Sequence, residues 1–460
     1  MPRMLRLGPL ATILFLCGCG RGDDDDTGES VDGGESESEG EDKGDCDCER
    51  RECHSATCPG DGTCAYTAIP HLLCDDGDPC TEVDVCDESG DCAGERFTCD
   101  APPPPECADA STLRTFDEGV CNGDGCDYEP SAGACPSVCI DATCCTLTVA
   151  SEEIGAATGR PSLALNPAGA VRVAYQSGTL LRYSAPGATS WSMELADTDS
   201  DSEFSPSLVV AADTIAQMVY LRDGALRLAR RTSSGGVWTS AAAGSGADRA
   251  SPSLAVDGNA LELLFDQPGA GDCRSVVRSR STGGAWSEES ADLCGAAPAL
   301  AVASGTLHMA YLDDGVRYGR HSSGAATWNF VQIAEGGDEI GAPVIAVSPD
   351  GLAHIVYANG VTVEHAQGSL GAGFETEDVA AGARPAVAVD AEGGVHVALD
   401  ADGEIVYGRR SGPEVWALES VSSHEAVAGS DIVVDATGVA HLAWTADGAL
   451  GYASVTLACE

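Results

Sequence analysis

The sequence predicts an all-β chain: a seven-bladed β-propeller over residues 145–460, preceded by a small disulfide-rich module at 46–144 and a disordered acidic tether at 20–45. Three observations carry this. A strand-rich unit recurs seven times in the C-terminal two thirds, 17 of the 22 cysteines crowd into residues 46–145, and residues 20–45 hold 12 acids against 2 bases with almost no apolar side chains. A chain of 460 residues is also too long for one ordinary core, which fits such a division.

Each repeat unit opens on a short apolar strand: PSLAL at Pro161, PSLVV at Pro206, PSLAV at Pro252, PALAV at Pro298, PVIAV at Pro343, PAVAV at Pro385 and SDIVV at Ser430. The intervals are 45, 46, 46, 45, 42 and 45 residues, the length of one four-stranded propeller blade. In most units a turn of Asp, Asn and Gly follows, as at 390–393 and 435–438, and suits a tight hairpin. The second strands (VRVAY, AQMVY, LELLF, LHMAY, AHIVY, VHVAL, AHLAW) and third strands (LLRYS, LRLAR, SVVRS, VRYGR, VTVEH, IVYGR, LGYAS) are alternating and β-branched, which excludes helix. A Ser/Gly-rich turn then leads to an aromatic that opens the fourth strand: Trp191, Trp238, Trp286, Trp328, Phe374 or Trp416.

The seventh unit ends after its third strand. Counting back 15 residues from Pro161, the interval between Trp191 and Pro206, reaches Thr146. Residues 146–149 are therefore expected to complete the last blade and remove a free sheet edge. The same register sets Cys145 against Cys459, with Cys144 as the alternative partner, and Cys273 with Cys294 forms a second candidate bridge inside the third unit.

The first 19 residues carry Arg3 and Arg6 and then an apolar run at 7–16, the pattern of a signal peptide and too short to span a bilayer. They end Leu16-Cys17-Gly18-Cys19, which resembles the bacterial lipobox. That resemblance implies acylation of Cys19 and a membrane partner through the lipid. With Gly20 following the cysteine, it also implies an outer-membrane lipoprotein facing the surface or the periplasm. No later stretch reaches 18 apolar residues, so no transmembrane helix is expected.

Setting aside Cys17 and Cys19 leaves 20 cysteines, enough for ten disulfides in an oxidising compartment. The stretch CDDGDPCTEVDVCDESGDCAGERFTC, with Cys74, Cys80, Cys86, Cys92 and Cys99, resembles the slime-mould-type cysteine repeat, an extracellular module. Zinc on Cys46, Cys48, Cys53 and His54 is a sharper alternative, and Asp75, Asp76, Asp78 and Asp84 could gather around calcium. Disulfides and solvent-facing turn acids are the simpler readings.

Seventy-three acids against 24 bases leave a net charge of −49, which repels phosphate backbones and excludes nucleic acid as the expected partner. The turn SSGGVW at 233–238 resembles the Asp-box of sialidase-like propellers, a structural turn, although the Asp is absent from every copy here. Arg160 and Arg384, each directly before a strand-opening Pro, are similar to that family's Arg-Ile-Pro segment and are ligand-binding candidates. A third arginine and the family's Tyr/Glu pair have no assignable counterparts.

His308, His354, His396 and His441 recur at one place in the second strand, where the other units carry Arg172, Gln217 and Glu262. Equivalent positions on different blades are spread radially, so these histidines read as strand packing, not a metal ring. Asp197, Asp199 and Asp201 alternate as in a calcium loop, but Ser202 and Leu208 stand where an EF-hand has Gly and its bidentate Glu. The resulting expectation is a surface-anchored, non-enzymatic binding or adhesion lipoprotein for a protein or glycan. A sialidase-like glycoside hydrolase and a structural envelope component are the alternatives.

Overall fold

The computed structural model describes residues 48–459 apart from 60–61, 123–124, 199–205, 213–214, 233–236, 245–247, 272, 323–324, 326 and 337–338. The leader with Cys19, the tether, Cys46, Asp199 and Asp201 lie outside the described residues. The chain divides into two compact units at Phe97/Thr98, so the last part of the cysteine-rich stretch belongs to the same unit as the repeats.

In the first unit two hairpins, His54–Thr57 with Ala65–Ala68 and Thr81–Cys86 with Cys92–Arg96, are cross-linked by Cys48–Cys64, Cys53–Cys86 and Cys74–Cys92. So little apolar surface is buried there that covalent links take the place of a core. All 19 described cysteines of the chain are disulfide-bonded, the mark of an oxidising, extracytoplasmic setting.

The repeats of the second unit form successive antiparallel sheets, numbered here 1 to 7 in chain order: residues 158–197, 207–242, 250–294, 296–335, 344–381, 383–423 and 427–459. The first six are four-stranded meanders. The first strand of each sheet packs on the first strand of the next, and that of sheet 7 packs back on that of sheet 1, so the sheets close into a ring. This is β-propeller architecture.

The second strands are buried on both faces, as in Ala216–Arg222 and Ala353–Asn359, because each lies mid-sheet between two neighbouring sheets. That is why AQMVY and AHIVY read as continuous apolar runs. Their ends, among them Tyr175, Tyr220, Phe265, Tyr311 and Tyr357, are fully buried. Among the described residues one apolar cluster fills each gap between consecutive sheets, including the gap from sheet 7 to sheet 1 around Val173, Tyr175 and Leu450.

Sheet 7 takes its fourth strand from the other end of the chain. Thr143–Ala156 pairs along its length with Ala449–Cys459, from Cys145 opposite Cys459 to Ala156 opposite Ala449. A disulfide joins Cys145 to Cys459, Cys144 is bonded to Cys135, and Cys273 to Cys294. The completing strand is longer than the four residues expected at 146–149. A fifth strand not expected from the sequence, Val138–Ile140, then adds to its outer edge. Val138, Ile140 and Cys145 bury themselves against Ala417 of sheet 6, so this short hairpin is packed on the propeller and not left as a linker.

Hydroxyls stitch the inner ring. Ser162, Ser207 and Ser253 each accept a hydrogen bond from the backbone N–H of the next sheet's first strand, at Leu208, Leu254 and Leu300 (2.9–3.1 Å). At the closure Asp431 replaces the serine and accepts from Leu163 N–H at 2.7 Å. These contacts satisfy backbone donors that would otherwise be unpaired at the channel.

Candidate functional site

The sequence-derived candidates fall into different places. Arg160 lines a cavity of about 370 Å³ at the central channel, among the strand-opening prolines and Asp431. Its Nε donates to Ser430 O (2.8 Å) and its Nη2 to Pro385 O (3.0 Å), so its fork is taken up by backbone of sheets 7 and 6. Enclosure lowers the Arg160 pKa and raises that of Asp431, each partly offset by the other's charge. Arg384, its counterpart in the repeat, is exposed and donates to Asp400. The backbone separates the two. Arg384 itself takes a left-handed φ of 48°, whereas in sheet 1 Gly159 takes the left-handed turn (φ 70°) and Arg160 follows it inward.

Asp197 accepts hydrogen bonds from Tyr220 Oη and from Arg222 Nη1 (3.3 Å), which tie sheet 1 to sheet 2. That occupation leaves it a structural carboxylate and not an open calcium ligand. In the first unit Cys48 and Cys53, two thiols of the zinc alternative, are spent in disulfides. Asp75, Asp76 and Asp84 do lie together. Asp76 nevertheless accepts from Asp78 N–H, Gly94 N–H and Thr81 Oγ1, and Asp84 accepts from Asp76 N–H, the bonding of turn-locking acids.

The recurrent second-strand position proves more informative. In each sheet it faces a third-strand residue across the ladder. His308 Nδ1 meets Tyr318 Oη (2.8 Å), His396 meets Tyr407 (2.8 Å), His441 meets Tyr452 (2.7 Å), Glu262 holds Arg278 (3.0 Å), and Arg172 bonds Tyr183. In sheet 2 Gln217 stands opposite Arg230, and Leu228 holds the place of the tyrosine. In sheets 6 and 7 a turn aspartate finishes the arrangement: Asp390 takes Nε2 of His396 (3.1 Å) and Asp435 takes Nε2 of His441 (3.2 Å). There Nε2–H donates to the carboxylate, and Nδ1 accepts from the tyrosine hydroxyl.

Sheet 5 departs from this pattern at both ends. The turn aspartate is replaced by Ser348, whose hydroxyl donates to Asp350, and the tyrosine is replaced by His365. His365 Nδ1 lies 3.0 Å from Glu377 Oε1, and its Nε2 lies 3.1 Å from His354 Nδ1. Glu377 also accepts Nε and Nη2 of Arg410 (2.6 and 3.0 Å) and the Glu414 N–H (2.7 Å). Burial opposes the Glu377 charge, but those hydrogen bonds outweigh it and hold the carboxyl far below its usual pKa.

An ionised Glu377 requires the proton of His365 on Nδ1. His365 Nε2 is then a lone pair, which requires a proton on Nδ1 of His354. His354 Nε2 is thus left unprotonated, the opposite tautomer to His396 and His441, and has no partner among the described residues. Burial lowers the His354 pKa to about 4, with the Arg410 charge acting the same way, so the ring is neutral at pH 7.

His354, 3% exposed, lines a cavity of about 410 Å³ between sheets 5 and 6. The turns at 348–352, 392–395 and 409–412 form its walls, and Asp141, from the hairpin that adds the fifth strand to sheet 7, reaches it as well. Its charges are mixed. Arg410 is neutralised by Glu377, while Arg409 lies 3.4 Å from Asp390 and 3.8 Å from Asp141 and keeps a buried Nε without a partner. Asp350, held ionised by Ser348, and the exposed Glu392 complete a wall rich in acceptors. Sequence reading grouped His354 with the other strand histidines. The usable signal was the column above it: Asp390 and Asp435 stand six residues before their histidines, and Ser348 stands six before His354.

No family model and no curated protein matches this sequence. Among solved structures, virginiamycin B lyase from Staphylococcus aureus is similar at 12% identity and a TM-score of 0.49, covering 67% of this chain and 99% of its own. A lectin from Aleuria aurantia, solved with Fucα1-6GlcNAc, is similar at 13% identity and a TM-score of 0.43, covering 59% of this chain and 97% of its own. A neuraminidase-like protein of a bat influenza A virus is similar at 10% identity and a TM-score of 0.37, covering 68% of this chain and 100% of its own. At these identities nothing of their ligands or reactions transfers to residues of this chain.

Proposed function

We propose that the chain is a non-enzymatic binding lipoprotein: a seven-bladed propeller, joined through a cysteine-rich module and an acidic tether to a lipid on Cys19, that holds a glycan in the cavity between sheets 5 and 6. The observation that carries the reading is the open Nε2 of His354, an acceptor offered to a polar cavity where the finishing aspartate of sheets 6 and 7 gives way to Ser348. A cavity of about 410 Å³ with convergent polar groups is the size of a small-ligand site. A base with a pKa near 4 is poorly matched to general-base catalysis at neutral pH, which favours binding over turnover. The placement of Arg160 and Arg384 on separate partners gives the sialidase-like alternative no paired arginines to grip a substrate carboxylate.

The test uses the secreted chain carrying Cys19→Ala, screened on a glycan array and, in parallel, on a panel of glycosidase substrates. Saturable binding of one glycan class without turnover is the expected outcome. Hydrolysis of any panel substrate, abolished by Arg160→Met, would overturn the reading. Fatty-acid labelling of the full chain is expected to disappear with Cys19→Ala, and persistent labelling would remove the anchor.

A further inference from the structure

We propose that the cavity between sheets 5 and 6 selects an amino sugar, its protonated amine donating to His354 Nε2 and the surrounding carboxylates. This rests on the binding reading above and specifies the ligand. The tautomer chain from Glu377 through His365 leaves His354 able only to accept, so its partner must bring an N–H or O–H. The carboxylates around it add to that demand. Asp350, Glu392 and Asp141 line the cavity, and the two arginines present already face Glu377 and Asp390. The wall therefore favours a cation over a neutral or anionic group.

A lysine side chain carries its ammonium on a bare hydrocarbon stem and offers the polar wall no other group. A sugar bearing a free amine presents donor and acceptors within one ring. Internal comparison strengthens the case. In sheets 6 and 7 an aspartate occupies the place that the ligand amine would take, and Ser348 vacates it in sheet 5.

The experiment titrates the Cys19→Ala chain with a glucosamine trisaccharide, its N-acetylated counterpart and a lysine-containing peptide, followed by calorimetry at pH 6. Binding of the glucosamine trisaccharide at least tenfold tighter than of the other two supports the proposal. Ser348→Asp restores the carboxylate found in sheets 6 and 7 and is expected to weaken binding at least tenfold while circular dichroism shows the chain still folded. Glu392→Gln, at an exposed turn, is expected to weaken it severalfold. Equal or tighter binding of the N-acetylated sugar or of the peptide, or undiminished binding by both variants, overturns the amino-sugar assignment. A neutral glycan captured on the array would still leave the binding reading standing. Absence of any glycan ligand there removes both.

Discussion

Lowering the pH from 7 to 5 should destabilise the propeller through its buried imidazoles, ahead of those carboxylates whose pKa values are lowered. His308 and His354 are both 3% exposed, and burial, with the charge of Arg320 or Arg410 nearby, lowers each pKa to about 4. In the unfolded chain a histidine titrates near 6.5. Between these values the unfolded state binds the protons and the native state does not, so stability is complete above about pH 6.5 and falls as pH drops toward 4. At pH 5 each ring has cost about 2 kcal/mol relative to pH 7, or about 4 kcal/mol for the pair. His321, His365 and His396, whose pKa values are also lowered by burial, add with the same sign. Carboxylates such as Glu377 and Asp390, with lowered pKa values, contribute stability that is lost only at lower pH, which separates the two windows. All six tryptophans lie between residues 191 and 444, so urea unfolding followed by tryptophan fluorescence reports on the propeller alone. His308→Gln should reduce the change between pH 7 and 5 by about 2 kcal/mol. An unfolding free energy at pH 5 within about 1 kcal/mol of its pH 7 value would refute the buried, neutral assignment.

The Cys145–Cys459 disulfide closes a loop of 314 residues, for which chain entropy gives about 5 to 6 kcal/mol as an upper figure; the Cys145→Ala, Cys459→Ala double variant should lose several kcal/mol and exchange amide protons at 449–459 faster than those of sheet 3. Uniform exchange across the sheets would show that the clasp is dispensable. Arg160→Met should lower stability by about 2 kcal/mol, a figure reduced because solvent enters the channel, and adding Asp431→Asn should restore part of the loss. Strictly additive losses in the thermal midpoints of the single and double variants would deny the coupling across the closure.

The repeat was legible because every unit answers the same physical demand. A channel-lining first strand and a second strand buried on both faces require small and β-branched residues, and the turns between them require Asp, Asn or Gly at fixed offsets. The strand at 143–156 was legible only in part. Residues 146–149 keep the repeat pattern, whereas the rest of that strand and the hairpin at 138–140 depend on docking against Ala417, a distant contact that leaves no local periodicity. The arginines misled for a backbone reason: Arg160 and Arg384 both precede proline, but only one of them carries the left-handed turn itself. The cavity was hidden because it follows from a proton's position on an imidazole. That position is set by Glu377, 23 residues after His354 and invisible as a motif.

The exchange of strands in sheet 7 also fixes an order of events as the chain is made. Residues 143–156 are made before their partner at 449–459, so this strand has no mate along that edge until the six intervening sheets have been synthesised. During that interval the Cys145 thiol stands beside Cys144 and near other cysteines of the same stretch, with its correct mate still absent. Oxidation that outruns synthesis of residues 449–459 would trap Cys145 in a wrong pairing and leave the ring open. Closure of the ring therefore calls for thiol exchange once residues 449–459 are in place.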